Sequence, residues 1–186
     1  TGGASGIGKE MCRRFAREGA KKVVVADLNG EGAAAVAAEF GGFSMAVDVR
    51  KESEIVELIN TTEAQFGPID LFCSNAGIGI GKNIDEPDEV WQTIWEVNTM
   101  AHVWAARHLV PLMIARGGGY LLNTSSAAGL LNQIGSVTYA VTKHAAVALA
   151  EWLSITYGDQ GIKVSVLCPQ AVNTPLVAGG AGVAGV

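Results

Sequence analysis

The sequence predicts a single α/β domain, residues 1–186, built on a doubly wound parallel sheet with helices on both faces. Two observations predict it. Short, β-rich and mostly apolar runs alternate with helical patterns, as strands buried on both faces do. A glycine-rich segment, Thr1-Gly2-Gly3-Ala4-Ser5-Gly6-Ile7-Gly8, opens directly onto a helical pattern, and an acidic residue closes the strand after it.

The elements follow in order. The first helix has Ile7, Met11, Cys12 and Phe15 on one side and Lys9, Arg13, Arg14 and Arg17 elsewhere, and Gly19 stops it. A strand over 22–26 leads to Asp27, and a helix over 31–40 precedes a strand over 43–47. The helix over 53–66 has Ser53 as its N-cap and Gly67-Pro68 as its stop, before a strand over 69–74. A long helical stretch over 90–116 is expected to bend and to accommodate Pro111 near its last turns. A strand over 120–123, a helix over 139–157 ending at Gly158, and a strand over 163–167 complete the pattern. Right-handed crossovers then put helices on both faces. A doubly wound sheet needs a strand ahead of the glycine loop, and the chain stops soon after its fifth strand, so both ends are expected to be incomplete.

Composition narrows the function. At 186 residues, 49% apolar and 17% charged, the chain suits one packed core rather than disorder. The net charge is −5, and basic residues adjoin only in the pairs Arg13-Arg14, Lys21-Lys22 and Arg50-Lys51, which argues against nucleic acid or an anionic membrane as partner. No apolar run approaches the ~20 residues of a membrane span, and no signal peptide opens the chain. Cys12, Cys73 and Cys168 are far apart and suit free thiols in a reducing cytoplasm. They form no metal-ligand pattern, and neither do His102, His108 and His144.

The opening glycines allow a tight turn and let backbone N–H groups approach a pyrophosphate, with a helix N-terminus behind them. Asp27 lies 19 residues after Gly8, where a carboxylate can accept hydrogen bonds from ribose hydroxyls and repel a 2′-phosphate. Ser5 offers no positive charge to such a phosphate, and Lys21 and Lys22 fall at the far end of the strand. NAD is therefore expected, with NADP as the alternative. Tyr139 and Lys143 lie four residues apart on one helix face, 13 residues after Ser126. A free phenol titrates near ~10, and a nearby ammonium lowers that value enough for proton exchange with an alcohol or carbonyl. The same spacing also occurs on solvated helix faces, so the rest of the chain must decide.

Together these residues resemble the classical short-chain dehydrogenase/reductase (SDR) family over residues 1–176. The family motif T-G-x-x-x-G-x-G is matched by Thr1, Gly2, Gly6 and Gly8; Asn75-Ala76-Gly77 matches its N-A-G, and Asn98, Ser126, Tyr139 and Lys143 match its active residues. The spacing differs from the G-x-G-x-x-G of medium-chain dehydrogenases and the T-G-x-x-G-x-x-G of extended relatives. One departure is visible: the family's P-G-x-V-x-T reads Pro169-Gln170-Ala171-Val172-Asn173-Thr174 here.

The resemblance implies a Rossmann-type fold and hydride transfer between NAD(H) and a secondary alcohol or ketone. It places Gly2, Ser5, Gly6, Ile7, Gly8, Asp27 and Leu28 on the cofactor, with Asp48 and Val49 at adenine and Asn75, Ala76 and Gly77 beside it. Pro169, Val172 and Thr174 carry over as nicotinamide-side contacts. Tyr139 becomes the general acid/base, Lys143 its pKa-lowering partner and a ribose ligand, and Ser126 the holder of the reacting oxygen. Asn98 either holds a water linking Lys143 to solvent or fastens a helix kink. Ser125 should point away from the site, and Tyr157 should only pack. Leu130, Leu131, Ile134 and Gln170 should line a pocket for a largely apolar, uncharged substrate. Residues 177–186 fall where the family has a mobile lid, and a homotetramer or homodimer is expected. The competing readings are an NADP-dependent carbonyl reductase and a non-catalytic NAD-sensing regulator.

Overall fold

The computed structural model describes residues 1–178, apart from the side chains of Val177 and Ala178, so the expected lid over 177–186 lies almost wholly outside the described residues. The elements alternate as β and α units: α1 (Gly6–Arg17), β1 (Val24–Asp27), α2 (Gly30–Ala38), β2 (Phe43–Ala46), α3 (Glu52–Phe66) and β3 (Leu71–Ser74). There follow α4 (Asp88–Trp95), α5 (Ala101–Ala115), β4 (Gly119–Thr124), α6 (Val137–Tyr157), β5 (Ile162–Leu167) and the single turn α7 (Pro175–Ala178). Every strand pair is parallel, with Val24 opposite Phe43, Leu71 opposite Tyr120, and Tyr120 opposite Lys163.

The strands pair in the orders β1-β2 and β3-β4-β5. The edges of β1 and β3 flank a cavity of about 720 Å³ lined by Met11, Phe15, Val24, Ala26, Leu71 and Phe72. The glycine loop bridges the top of this gap. Gly3 N–H donates to the Ala26 carbonyl at 3.1 Å, and the Thr1 amine donates to the Cys73 carbonyl at 2.8 Å. The main core packs Ile55, Leu58 and Ile59 of α3 and Ala105, Leu109 and Met113 of α5 against the sheet. A smaller core under α2 holds Val25, Ala33, Val36 and Ala37. Tyr157 packs on the main core, as expected.

Several boundaries differ from expectation for local reasons. β1 starts at Val24 because its partner strand begins at Phe43, whose N–H donates to the Val23 carbonyl, while the Gly42 N–H is taken by the Ala37 carbonyl at the end of α2. α3 begins at Glu52 with Lys51 as N-cap, so Ser53 is not the cap. The turn Asp48–Lys51, closed by Lys51 N–H on the Asp48 carbonyl, starts the helix one residue early, and Glu52 and Glu54 complement its dipole. The stretch expected over 90–116 is one continuous helix whose middle, Glu96–Met100, is a π-turn. Pro111 lies inside α5 at an exposed position, where water can reach the carbonyl it leaves unbonded.

Candidate active site

The carboxyl ends of all five strands open onto one cavity of about 480 Å³. The glycine loop forms one wall. Gly2 adopts φ +67°, and a Cβ on Gly8 would lie 2.1 Å from the Gly2 carbonyl oxygen, so no side chain fits at Gly8. Gly8 itself does not line the cavity; it lets α1 close against the loop, while Gly2, Ser5, Gly6 and Ile7 face the cavity. Ser5 is the N-cap residue of α1, but its side chain makes no capping bond, and the first turn carries no acidic residue. The loop and the helix end therefore fit an anionic group such as a pyrophosphate.

Asp27 is fixed at the end of β1. One carboxylate oxygen accepts from Ala4 N–H at 2.9 Å and the other from Asn29 N–H at 2.9 Å. Leu28, 70% exposed, extends this wall. Asp48 and Val49 close the far end, and the Arg50 guanidinium grips Asp48 at 2.7 Å, holding that carboxyl below its usual range. Asn75, Ala76 and Gly77 form the floor. The Asn75 amide donates to the Thr1 carbonyl, and the Asn75 and Ala76 N–H groups both donate to Thr1 Oγ1.

Ser126, Tyr139 and Lys143 meet on the other side of the same cavity, with Pro169, Gln170, Val172 and Thr174 above them. Ser126 lies in extended backbone just past β4, with φ −168°. Its Oγ accepts from Ala128 N–H at 3.2 Å and donates to the Pro169 carbonyl at 3.5 Å. Ser125 turns away, as expected, and donates to the Lys143 carbonyl at 2.8 Å. Lys143 is buried, with Nζ 5.4 Å from the Tyr139 ring centroid and donating to the Thr124 carbonyl at 3.2 Å. A Cβ on Gly77 would come within 3.2 Å of that ammonium.

Burial works against the lowering expected of Lys143: it raises the Tyr139 phenol, and the nearby Ser126 hydroxyl opposes the rise. Burial also pushes the Lys143 ammonium down to about 8. Both groups leave water on the same side of the sheet, and the desolvation of each favours its neutral form.

Asn98, fully buried in the π-turn, stands behind the cavity rather than on its wall. Its Oδ1 accepts from Ile78 N–H and its Nδ2 donates to the Ile78 carbonyl, both at 2.9 Å. Nδ2 also reaches Thr142 Oγ1 at 3.2 Å. It thus ties the loop after β3 to α6 across the distorted helix.

Leu130, Leu131 and Ile134 do not line this cavity; they are 60%, 71% and 82% exposed. Their segment is held by Leu130 and Leu131 N–H bonds to the Ala127 carbonyl and by Ser136 Oγ on the Gly81 carbonyl. Of the four residues expected at the substrate, Gln170 alone reaches the cavity. Sequence reasoning missed Arg50, and it missed the Thr124 carbonyl that receives Lys143. Arg50 stands two residues after Asp48, a spacing that signals the pair; a backbone acceptor leaves no mark in side-chain identity.

Residues 1–180 match the family profile of the short chain dehydrogenases. A 1-deoxy-11-beta-hydroxypentalenate dehydrogenase of Streptomyces exfoliatus is 39% identical over 188 residues, covering 96% of this chain and 68% of that protein. A 3-ketoacyl-(acyl-carrier-protein) reductase from Brucella melitensis, solved with NADH, superposes with TM-score 0.90 at 32% identity, over 95% of this chain and 76% of its own. A 7 alpha-hydroxysteroid dehydrogenase solved with NADH and 7-oxo glycochenodeoxycholic acid superposes with TM-score 0.91 at 32% identity, over 96% of this chain and 72% of its own.

Proposed function

The chain belongs to the short-chain dehydrogenase family, and from that premise we propose that it moves a hydride between NAD(H) and a largely apolar secondary alcohol or ketone. One observation carries the reading: Ser126, Tyr139 and Lys143 open onto the same cavity as the glycine loop and Asp27. When bound, the nicotinamide supplies the hydride acceptor or donor.

The protein's own groups handle binding and the proton. Gly2, Ser5, Gly6 and Ile7 receive the pyrophosphate, and Asp27 accepts the adenosine ribose hydroxyls. Asp27 is held in place by two backbone N–H groups and would repel a 2′-phosphate, while the nearby Arg50 is engaged by Asp48. That arrangement supports NAD over NADP. Ser126 holds the reacting oxygen and Tyr139 passes the proton to or from it. Burial keeps the phenol protonated, ready to act as the acid in ketone reduction. For alcohol oxidation it must ionise, and Lys143 together with an oxidised, cationic nicotinamide favours that step.

The hydroxypentalenate and hydroxysteroid dehydrogenases among the relatives support a hydroxyl or keto group as the reacting centre; the compounds they name carry a carboxylate, so the uncharged character proposed here applies to the surroundings of the reacting carbon. Gln170 at the cavity and Leu130, Leu131 and Ile134 on its rim are the residues that would meet such a molecule. A homotetramer fits the exposed Val141, Trp152 and Ile155 along α6. A cytoplasmic location fits the free cysteines. The experiment is a screen for NAD reduction over secondary alcohols, hydroxysteroids included. Turnover is expected with at least one apolar alcohol; turnover confined to charged sugars or acids would remove this substrate class.

A further inference from the structure

His102 lies in the first turn of α5, four residues after Asn98 on the same continuous helix. It is 2% exposed, and its Nδ1 meets Asn123 Oδ1 at 3.0 Å. Asn123 immediately precedes Thr124, whose carbonyl takes the Lys143 ammonium. The next residue along, Ser125, donates to the Lys143 carbonyl. Successive turns of one helix therefore reach the two sides of Lys143. Asn98 anchors the loop after β3 and Thr142 of α6, and His102 anchors the end of β4.

The histidine is a poor choice for stability alone. Among the described residues, His102 Nε2, Asn123 Nδ2 and Thr124 Oγ1 are all buried without a protein partner. Whichever tautomer and amide orientation hold, the single contact leaves one polar atom of each side chain unpaired. Each such atom is desolvated without return, a penalty that a leucine packed on an apolar neighbour would avoid. His102 is also unsuited to carry a proton. Burial, aided by the Lys143 charge, pushes it down to about 3, so it stays neutral. What remains is geometry.

We propose that His102 is a positioning residue for Lys143, holding through Asn123 the strand end whose Thr124 carbonyl accepts the lysine ammonium. The inference rests on the reading of Tyr139 and Lys143 as the reaction pair. The titratable groups facing Lys143 are Tyr139 on its own helix, His102 from α5 and Cys168 from the end of β5. A change at neutral His102 therefore acts on Lys143 through its acceptor, not through a lost charge.

The test is an NMR titration of the full chain labelled at the lysine ε-carbons, with Lys143 assigned from Lys143→Met. A weakened acceptor leaves the ammonium less stabilised, so His102→Leu should lower the Lys143 titration by about half a unit or more. His102→Asn, whose amide Nδ2 stands where the ring Nδ1 does and can donate to Asn123 Oδ1, should restore it. If His102→Leu does not fold, His102→Met serves with the same expectation. An unmoved Lys143 titration in a folded apolar variant overturns the proposal, however far its melting temperature falls. The two readings fail separately. Absence of any NAD-linked turnover removes the reaction pair but not the shift, whereas normal turnover with an unmoved titration removes the role of His102 alone.

Discussion

The two ends of the active-site cavity are built in opposite ways. The nucleotide end is made of backbone: Gly2 and Gly8 packed too tightly for side chains, Asp27 gripped by two N–H groups, and Asn75 clasping Thr1. The side proposed to meet the substrate has exposed side chains: Leu130, Leu131 and Ile134 turn to solvent outside the cavity, and Gln170 lines it. A backbone cradle recognises a group that never changes and tolerates little substitution. An exposed rim can be rewritten residue by residue without disturbing the fold, and that is where relatives with one cofactor can differ in substrate.

The largest break in this contrast comes at Gly8. Gly8→Ala drives a methyl into the Gly2 carbonyl, so NADH binding should be lost and stability should fall by more than about 2 kcal/mol, as read by fluorescence titration and thermal melting. Asp27→Ser is next. It removes the ribose acceptor and its charge, so the NADH-to-NADPH affinity ratio should fall about tenfold or more, read from paired fluorescence titrations. An unchanged ratio would mean that Asp27 does not discriminate the two cofactors.

The pH dependence sharpens the proton end. Tyr139 is raised by burial, so alcohol oxidation, which needs the phenolate, should climb from neutral into alkaline pH. Ketone reduction, which needs the phenol, should fall over the same range; opposite limbs in the two directions are the signature to seek. The smallest effects belong to the rim. Leu131→Ala and Ile134→Ala should change stability by no more than about 0.5 kcal/mol, because both side chains are already solvated. Their effect should appear in KM for apolar substrates and leave NADH affinity alone.

What is legible in the sequence follows the same division. The glycine loop, Asp27, the outward turn of Ser125 and the Tyr139-Lys143 pair all follow from residue type and spacing, because each role demands a particular chemistry at a fixed offset. The alternation of strands and helices is legible for the same reason, since buried parallel strands and amphipathic helices differ in period. The direction of the Tyr139 shift is hidden. The lysine spacing argues for a lowered phenol, while the burial that works against it belongs to the tertiary structure. The π-turn that seats Asn98 and the Thr124 carbonyl under Lys143 are backbone features without a residue code. The rim leucines mislead because apolar identity suggests a lining, and the turn after Ser126 faces them outward instead.

The central claim is that Tyr139 handles the proton of an NAD-linked hydride transfer. Its most direct test is Tyr139→Phe, measured for turnover on the best alcohol of the screen and for NADH binding by fluorescence. The account predicts turnover lower by about a thousandfold with NADH affinity nearly unchanged. Turnover close to wild type in that variant would contradict it.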